Sequence, residues 1–208
     1  MESPIPGFGT AEAVPERTSR IFQRLAAEAN GERTSVGTIV DALYDRSFGV
    51  LIILFALPNA VLPLAWVLGL PIILFTVQMA FGRQEPWLPD IMRRQSMNRE
   101  TFVKLISFAA RYLAKIEVWL KPRWNFLTTN PVERILGVYM TFLTLVLLVP
   151  APFGNYLPAF GLGIIAAGLL EKDGLAIFIG SIVGALGAVY VVAVIGGIWA
   201  AAKALLSF

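Results

Sequence analysis

The sequence predicts an all-α, polytopic membrane protein with two internally repeated, proline-broken helical hairpins and amphipathic helices at the interface. Three observations predict it. Of 208 residues, 57% are hydrophobic and 15% charged, with a mean hydropathy of +0.71; a soluble domain carries roughly 25% charged residues. Fifteen of the seventeen Lys and Arg lie between Arg17 and Arg134, so the last third lacks the charge for a water-facing surface. Two charge-free runs, 47–82 and 135–170, each exceed the ~20 residues of a single span and are each interrupted by prolines.

The absent residue types exclude chemistry. There is no Cys and no His, so disulfides, thiolate or imidazole metal sites, Cys nucleophiles and His-based triads are ruled out. Neither a metal nor a cofactor is expected. The formal net charge is only +3, which reads as membrane topology rather than a nucleic-acid footprint.

Residues 1–46 form the first segment. Pro4, Pro6, Gly7 and Gly9 mark a flexible tail. A short amphipathic helix is predicted over 16–30, ended by Asn30-Gly31. A second, capped by Thr34 or Ser35, has Val36, Ile39, Val40 and Leu43 on one face. Residues 47–82 form the first membrane hairpin. Pro58-Asn59 and Pro63 divide it into arms of about 48–62 and 65–82, because proline removes a helix donor and disfavours helical geometry before it. The short first arm either crosses or is re-entrant, with its tip buried in protein.

Residues 83–134 are polar and carry ten Lys/Arg against five Asp/Glu. Pro86-Trp87-Leu88-Pro89 suits the headgroup region. Phe102, Leu105, Ile106, Ala109, Leu113, Ile116 and Leu120 recur at helical spacing, which predicts an interfacial amphipathic helix. Residues 135–173 form the second hairpin, broken at Pro150, Pro152, Gly154-Asn155 and Pro158. Residues 174–208 supply one further, tilted span.

The two apolar runs superimpose without gaps at an offset of 92 residues: Pro58 on Pro150, Gly69-Leu70 on Gly161-Leu162, Ile72-Ile73 on Ile164-Ile165, Gly82 on Gly174. Repeated break points are a mark of duplicated membrane folds. Orientation rests on parity. If both basic segments face the cytoplasm, as the Lys/Arg bias favours, 47–82 crosses an even number of times and the repeats are parallel. An odd number makes them inverted.

Several motifs resemble the ExoD-type exopolysaccharide synthesis proteins: Phe48-Gly49 with the apolar run to Leu57-Pro58-Asn59, then Gly69 and Pro71, Gln78, Gly82-Arg83 and Trp87 between its prolines. Pro152-Phe153-Gly154-Asn155, Pro158 and Asp173-Gly174 follow in the second repeat. The resemblance covers residues 34–190. It implies a multi-pass protein of the bacterial inner membrane, working with exopolysaccharide biosynthesis components. It implies no particular reaction.

Candidate sites follow from polar groups in apolar surroundings. Asn59 and Asn155, with Pro58, Pro150, Pro152 and Gly154, make a substrate-binding candidate where two broken segments meet; the competing reading is two helix caps or turns. Gln78 either joins that site or hydrogen-bonds between helices. Arg46, Arg83, Arg134 and Lys172 flank the apolar runs and either contact lipid-linked phosphate or headgroups or anchor topology. Glu171 and Asp173 either pair with them or handle protons. Gly180, Gly184 and Gly187 form a small-residue face for packing within the chain or between copies. The function expected is transport or translocation of a polar or lipid-linked solute between the hairpins. The alternatives are an enzyme acting on a lipid-linked sugar or phosphate, and a structural or regulatory membrane partner.

Overall fold

The computed structural model describes residues 46–61, 65–89 and 118–206, with the short stretches 33–35, 96–98 and 114–115 and positions 20, 24 and 103. The helices expected over 16–30, 34–46 and 102–120 lie almost wholly outside the described residues. Five long helices carry the fold: α1 (Ser47–Val61), α2 (Ala65–Ala80), α3 (Asn130–Leu148), α4 (Tyr156–Leu170) and α5 (Gly174–Leu206). A 3₁₀ turn, Asn125–Thr128, leads into α3. The strands among the described residues are β1 (Arg33–Ser35) and β2 (Ser96–Asn98), an antiparallel pair with Arg33 opposite Asn98.

The helix boundaries correct two expectations. Pro58 does not break the first run: it lies inside α1, which continues through Asn59 to Val61, and Pro71 lies inside α2. In the last turn of a helix a proline removes one hydrogen bond without stopping the chain. In the second half, Pro150 and Pro152 do sit between helices, after α3 ends at Leu148. The second hairpin also begins earlier than residue 135. α3 starts at Asn130, with Thr129 as N-cap and Pro131 in its first turn, where proline's missing N–H is one that needs no partner. Glu133 and Arg134 are therefore helical residues.

The hairpins pack crosswise. α1 lies along α4 and α2 along α3, both antiparallel, with lesser contact between the two arms of each hairpin. Glycines set the closest approaches. A Cβ on Gly49 would stand 3.0 Å from the Ala166 carbonyl oxygen, and one on Gly137 would stand 2.8 Å from Ala80 Cα. Phe75, Ile72, Ile52, Met140, Leu143, Leu147, Leu162 and Ile165 fill the space between with no exposure above 1%. Hydroxyls within the bundle bond back into their own helices: the buried Thr144 Oγ1 donates to the Met140 carbonyl at 2.7 Å and the half-buried Ser181 Oγ to that of Ile177 at 2.8 Å.

α5 seals the open side through α4. A Cβ on Gly161 would stand 2.6 Å from Gly184 Cα, and one on Gly180 would stand 2.7 Å from Ile165 N. Gly187 lies against Pro158. The glycine face of α5 is thus used within the chain. The distal part of α5, from Val192, leaves the bundle, and nothing lies within 4 Å of a Cβ built on Gly196 or Gly197.

The outer helix faces are apolar as well. Ile135, Val138, Phe142 and Leu145 on α3, and Phe178, Ile182, Leu186 and Val189 on α5, are all exposed. α3 and α5 are long and apolar enough to cross a membrane; α1, α2 and α4 are apolar but shorter.

Candidate functional site

Four helix ends converge on one cavity. The start of α1 contributes Arg46, Phe48 and Gly49, and the end of α2 contributes Met79, Gly82, Arg83 and Gln84. The start of α3 supplies Asn130, Glu133 and Arg134, and the end of α4 supplies Leu169, Leu170 and Lys172. Its volume is about 320 Å³, at the lower end of the range for small-ligand sites. Both hairpins therefore have their open ends at the same end of the bundle, and α1 and α3 run in the same direction. This convergence was out of reach of the sequence, where Arg46 and Lys172 are far apart.

Local backbone chemistry delivers the cations. α2 ends in a Schellman motif: Arg83 N donates to the Gln78 carbonyl at 3.1 Å and Gly82 N to that of Met79 at 2.9 Å, with Gly82 left-handed at φ 77. A side chain at Gly82 would also collide with the Arg134 guanidinium. α4 ends the same way. Asp173 N donates to the Gly168 carbonyl at 2.8 Å and Lys172 N to that of Leu169 at 3.4 Å. Here the left-handed residue is Lys172, at φ 54. The two left-handed caps, Gly82 and Lys172, do not meet in the gapless 92-residue alignment, which sets Gly82 on Gly174.

A lysine in this conformation is strained by roughly 1 kcal/mol relative to glycine. Lys172→Gly is therefore expected to raise the unfolding midpoint in detergent while removing one cation from the cavity. An unchanged or lowered midpoint would contradict the assigned strain.

Asp173 fixes the loop beside the cavity. It has no exposed surface. Its Oδ1 accepts from Arg123 Nε at 2.9 Å and caps α5 by accepting from Leu175 N and Ala176 N at 3.0 and 3.2 Å. Its Oδ2 accepts from Lys121 N at 2.9 Å. Backbone bonds tie the same strands together: Gly174 N donates to the Arg123 carbonyl at 2.8 Å and Arg123 N to that of Lys172 at 3.3 Å. Burial by itself would raise the carboxyl's pKa. The hydrogen bonds from Arg123, Lys121 and Ala176, with the charge on Arg123, outweigh it and hold the group below its ordinary range. A carboxylate so committed acts as a structural staple. Arg123 is a partner that the sequence reading missed, since it lies 50 residues away.

The remaining sequence candidates divide by position. Gln78 bonds to a backbone outside the helices: its amide pairs with Trp87, Nε2 donating to the carbonyl at 3.1 Å and Oε1 accepting from the N–H. It folds the segment after Gly82 back against α2. Gln78→Ala removes both bonds and is expected to cost about 1–2 kcal/mol, read as a lowered unfolding midpoint with faster proteolysis after Arg83. Gln78 also lies 13 residues along α2 from its start, or about 20 Å, which separates it from the hairpin tips.

Asn59, Pro58, Pro150, Pro152, Gly154 and Asn155 lie toward those tips, at the opposite end from the cavity. Asn59 is 1% exposed, and neither amide atom has a hydrogen-bond partner among the described residues. Asn155 is half-buried and N-caps α4, its carbonyl accepting from Ala159 N at 3.1 Å, while its side chain makes no capping bond. Gly154 is buried against Val191, and Tyr190 Oη donates to the Pro152 carbonyl at 3.0 Å, which ties the second tip to α5.

The family described as "Exopolysaccharide synthesis, ExoD" matches residues 18–193. The chain belongs to the ExoD family. An ExoD-family match of this length includes every helix of the crosswise core and the whole cavity. An uncharacterized protein of Synechocystis sp. is 27% identical over 174 residues, covering 81% of this chain and 82% of that protein. The protein ExoD of Rhizobium meliloti is 27% identical over 125 residues, covering 58% of this chain and 52% of its own length. No solved structure matches.

Proposed function

We propose that this ExoD-family chain is a multi-pass inner-membrane protein that supports translocation of a polar or lipid-linked solute during exopolysaccharide synthesis. The observation carrying the proposal is the cavity itself: Arg46, Arg83, Arg134 and Lys172 gather over the open ends of both hairpins, in a molecule whose outer helix faces are apolar. The described lining holds one carboxylate, Glu133. Among the described residues no ion pair of Arg83, Arg134 or Lys172 is found, so the cavity is cationic.

The Lys/Arg excess of 83–134 sets this end at the cytoplasmic face. The β1–β2 pairing, which ties Arg33–Ser35 to Ser96–Asn98 in that basic stretch, supports the same side for both. Both hairpins then enter the membrane from the cytoplasm and return, as parallel halves of a duplication, and α5 crosses outward. On this reading the basic cavity is the entrance, and Asn59, about 18 Å further along α1, is a polar group on the path toward the tips. The enzymatic alternative lacks support from the cavity, whose described lining offers no second carboxylate to serve as acid or base.

The test is purified protein in liposomes with a fluorescent lipid-linked sugar on one leaflet. The wild type should accelerate its exchange. Arg83→Gln with Arg134→Gln should slow exchange about tenfold or more, and Asn59→Leu should slow it without lowering the stability of the fold. Exchange no faster than in empty liposomes would reject the translocation reading.

A further inference from the structure

The cavity also bears on what kind of solute could enter it. We propose that it is a binding site for the phosphate of a membrane-anchored amphiphile, with the hydrocarbon tail lying along the outer face of α3. This deepens the translocation reading and rests on it for the cavity being an entrance.

Phosphate is selected by the donor set. Arg83 and Arg134 bring planar guanidinium forks suited to phosphate oxygens, and Lys172 adds a point charge on the third side. The starts of α1 and α3 both open on the cavity, and a helix start carries unpaired N–H groups and the positive end of the helix dipole. Gly82 makes room: its missing side chain is what lets Arg134 lie across the end of α2, beside Arg83.

The tail follows from helix geometry. Val138, Leu145 and the partly exposed Thr141 stand at i+4, i+11 and i+7 from Arg134, so they continue upward on the same side of α3. Val138 is 60% and Leu145 53% exposed, and Ile135 and Phe142 widen the stripe. It begins at the lip of the cavity and runs about 17 Å from Arg134 to Leu145. A headgroup held by Arg134 therefore has an apolar track directly above it. Phe48, Met79, Leu169 and Leu170 add apolar surface to the lining, and a less polar surrounding strengthens charge-assisted bonds. A free phosphate ion would use the donors and leave the track unused.

The experiment is equilibrium binding to the full chain in a neutral detergent, with four probes: farnesyl monophosphate, dioctanoyl phosphatidate, inorganic phosphate and dioctanoyl phosphatidylcholine. The two anionic amphiphiles should bind, the zwitterionic lipid should not, and inorganic phosphate should bind at least about tenfold more weakly than either amphiphile. Arg83→Gln and Arg134→Gln should each weaken amphiphile binding about tenfold or more. Val138→Ser should weaken the amphiphiles and leave inorganic phosphate unchanged. Arg83 is exposed, so its variant is expected to unfold at the wild-type midpoint and serves as the reference if Arg134→Gln does not fold. Amphiphile binding unchanged in Arg83→Gln would overturn the phosphate site. Inorganic phosphate binding as tightly as the amphiphiles would overturn the tail assignment and identify the source as free phosphate. Binding as expected with no lipid exchange in liposomes rejects the translocation reading alone; exchange without probe binding rejects the phosphate site alone.

Discussion

Asp173→Ala is expected to lower the stability of the folded chain by about 2–4 kcal/mol, the largest single-residue loss among the polar groups. Removing one member of a buried, hydrogen-bonded charge pair commonly costs 3–5 kcal/mol. Arg123 is 44% exposed, so solvent screens its half of the pair and the figure is reduced. The substitution also uncaps α5, worth about 1 kcal/mol, and leaves the Lys121 N–H without its acceptor. Asp173→Asn keeps the shape and one acceptor oxygen, and should lose less.

The same staple makes stability depend on pH. The folded carboxyl titrates below its unfolded value of about 3.9, so its contribution is fully present above roughly pH 4 and is lost as pH falls through the lowered folded value. Unfolding midpoints in detergent across pH 2–7 would measure this. The acid-side slope should flatten in Asp173→Asn; an identical slope in the variant would mean that the carboxylate contributes nothing.

The second large effect is expected at Gly161. A Cβ there would meet Gly184 N and Cα at 2.6 Å and the Gly180 carbonyl oxygen at 3.0 Å. All three are backbone atoms, so no side chain can turn aside and α5 must move off α4. Overpacking of this kind costs about 1–3 kcal/mol where neighbours adjust. Gly161→Ala should reach the upper end of that range, and Gly161→Val should exceed it. Gly184→Ala meets the end of the Leu143 side chain instead. Leucine can change rotamer, so the milder substitution should be tolerated better. Detergent unfolding of the three variants ranks them directly. Equal midpoints for Gly161→Val and Gly184→Ala would refute the backbone contact.

Composition made the helical class and the affinity for lipid legible, because a chain with so few charges cannot wet its own surface. The apolar runs located α1, α2, α4 and α5 to within a few residues, and the small-residue spacing in α5 identified a close-packing face. Proline was less informative. Pro150 and Pro152 lie in a break while Pro58 lies in a helix, since a proline in the last turn costs one hydrogen bond that surrounding packing can offset. Their proline-rich settings make Asn59 and Asn155 look like one polar site in the sequence. They occupy different settings, one buried with no hydrogen-bond partner among the described residues and the other capping α4. Gln78 shows the same limit, as nothing in its spacing marks Trp87 as its partner.

The sequence by itself determined what this protein is made of: apolar helices in two similar pairs, basic flanks, no thiol or imidazole chemistry, and membership in the ExoD family through its ordered motifs. Only the tertiary structure decided what those parts do together. Crosswise packing, α1 on α4 and α2 on α3, aligns the open ends of both hairpins. Schellman caps then turn Arg83 and Lys172 toward Arg46 and Arg134. Charges placed by topology along the chain become a single cationic cavity because helix direction, which no local pattern encodes, brings four distant ends to one place.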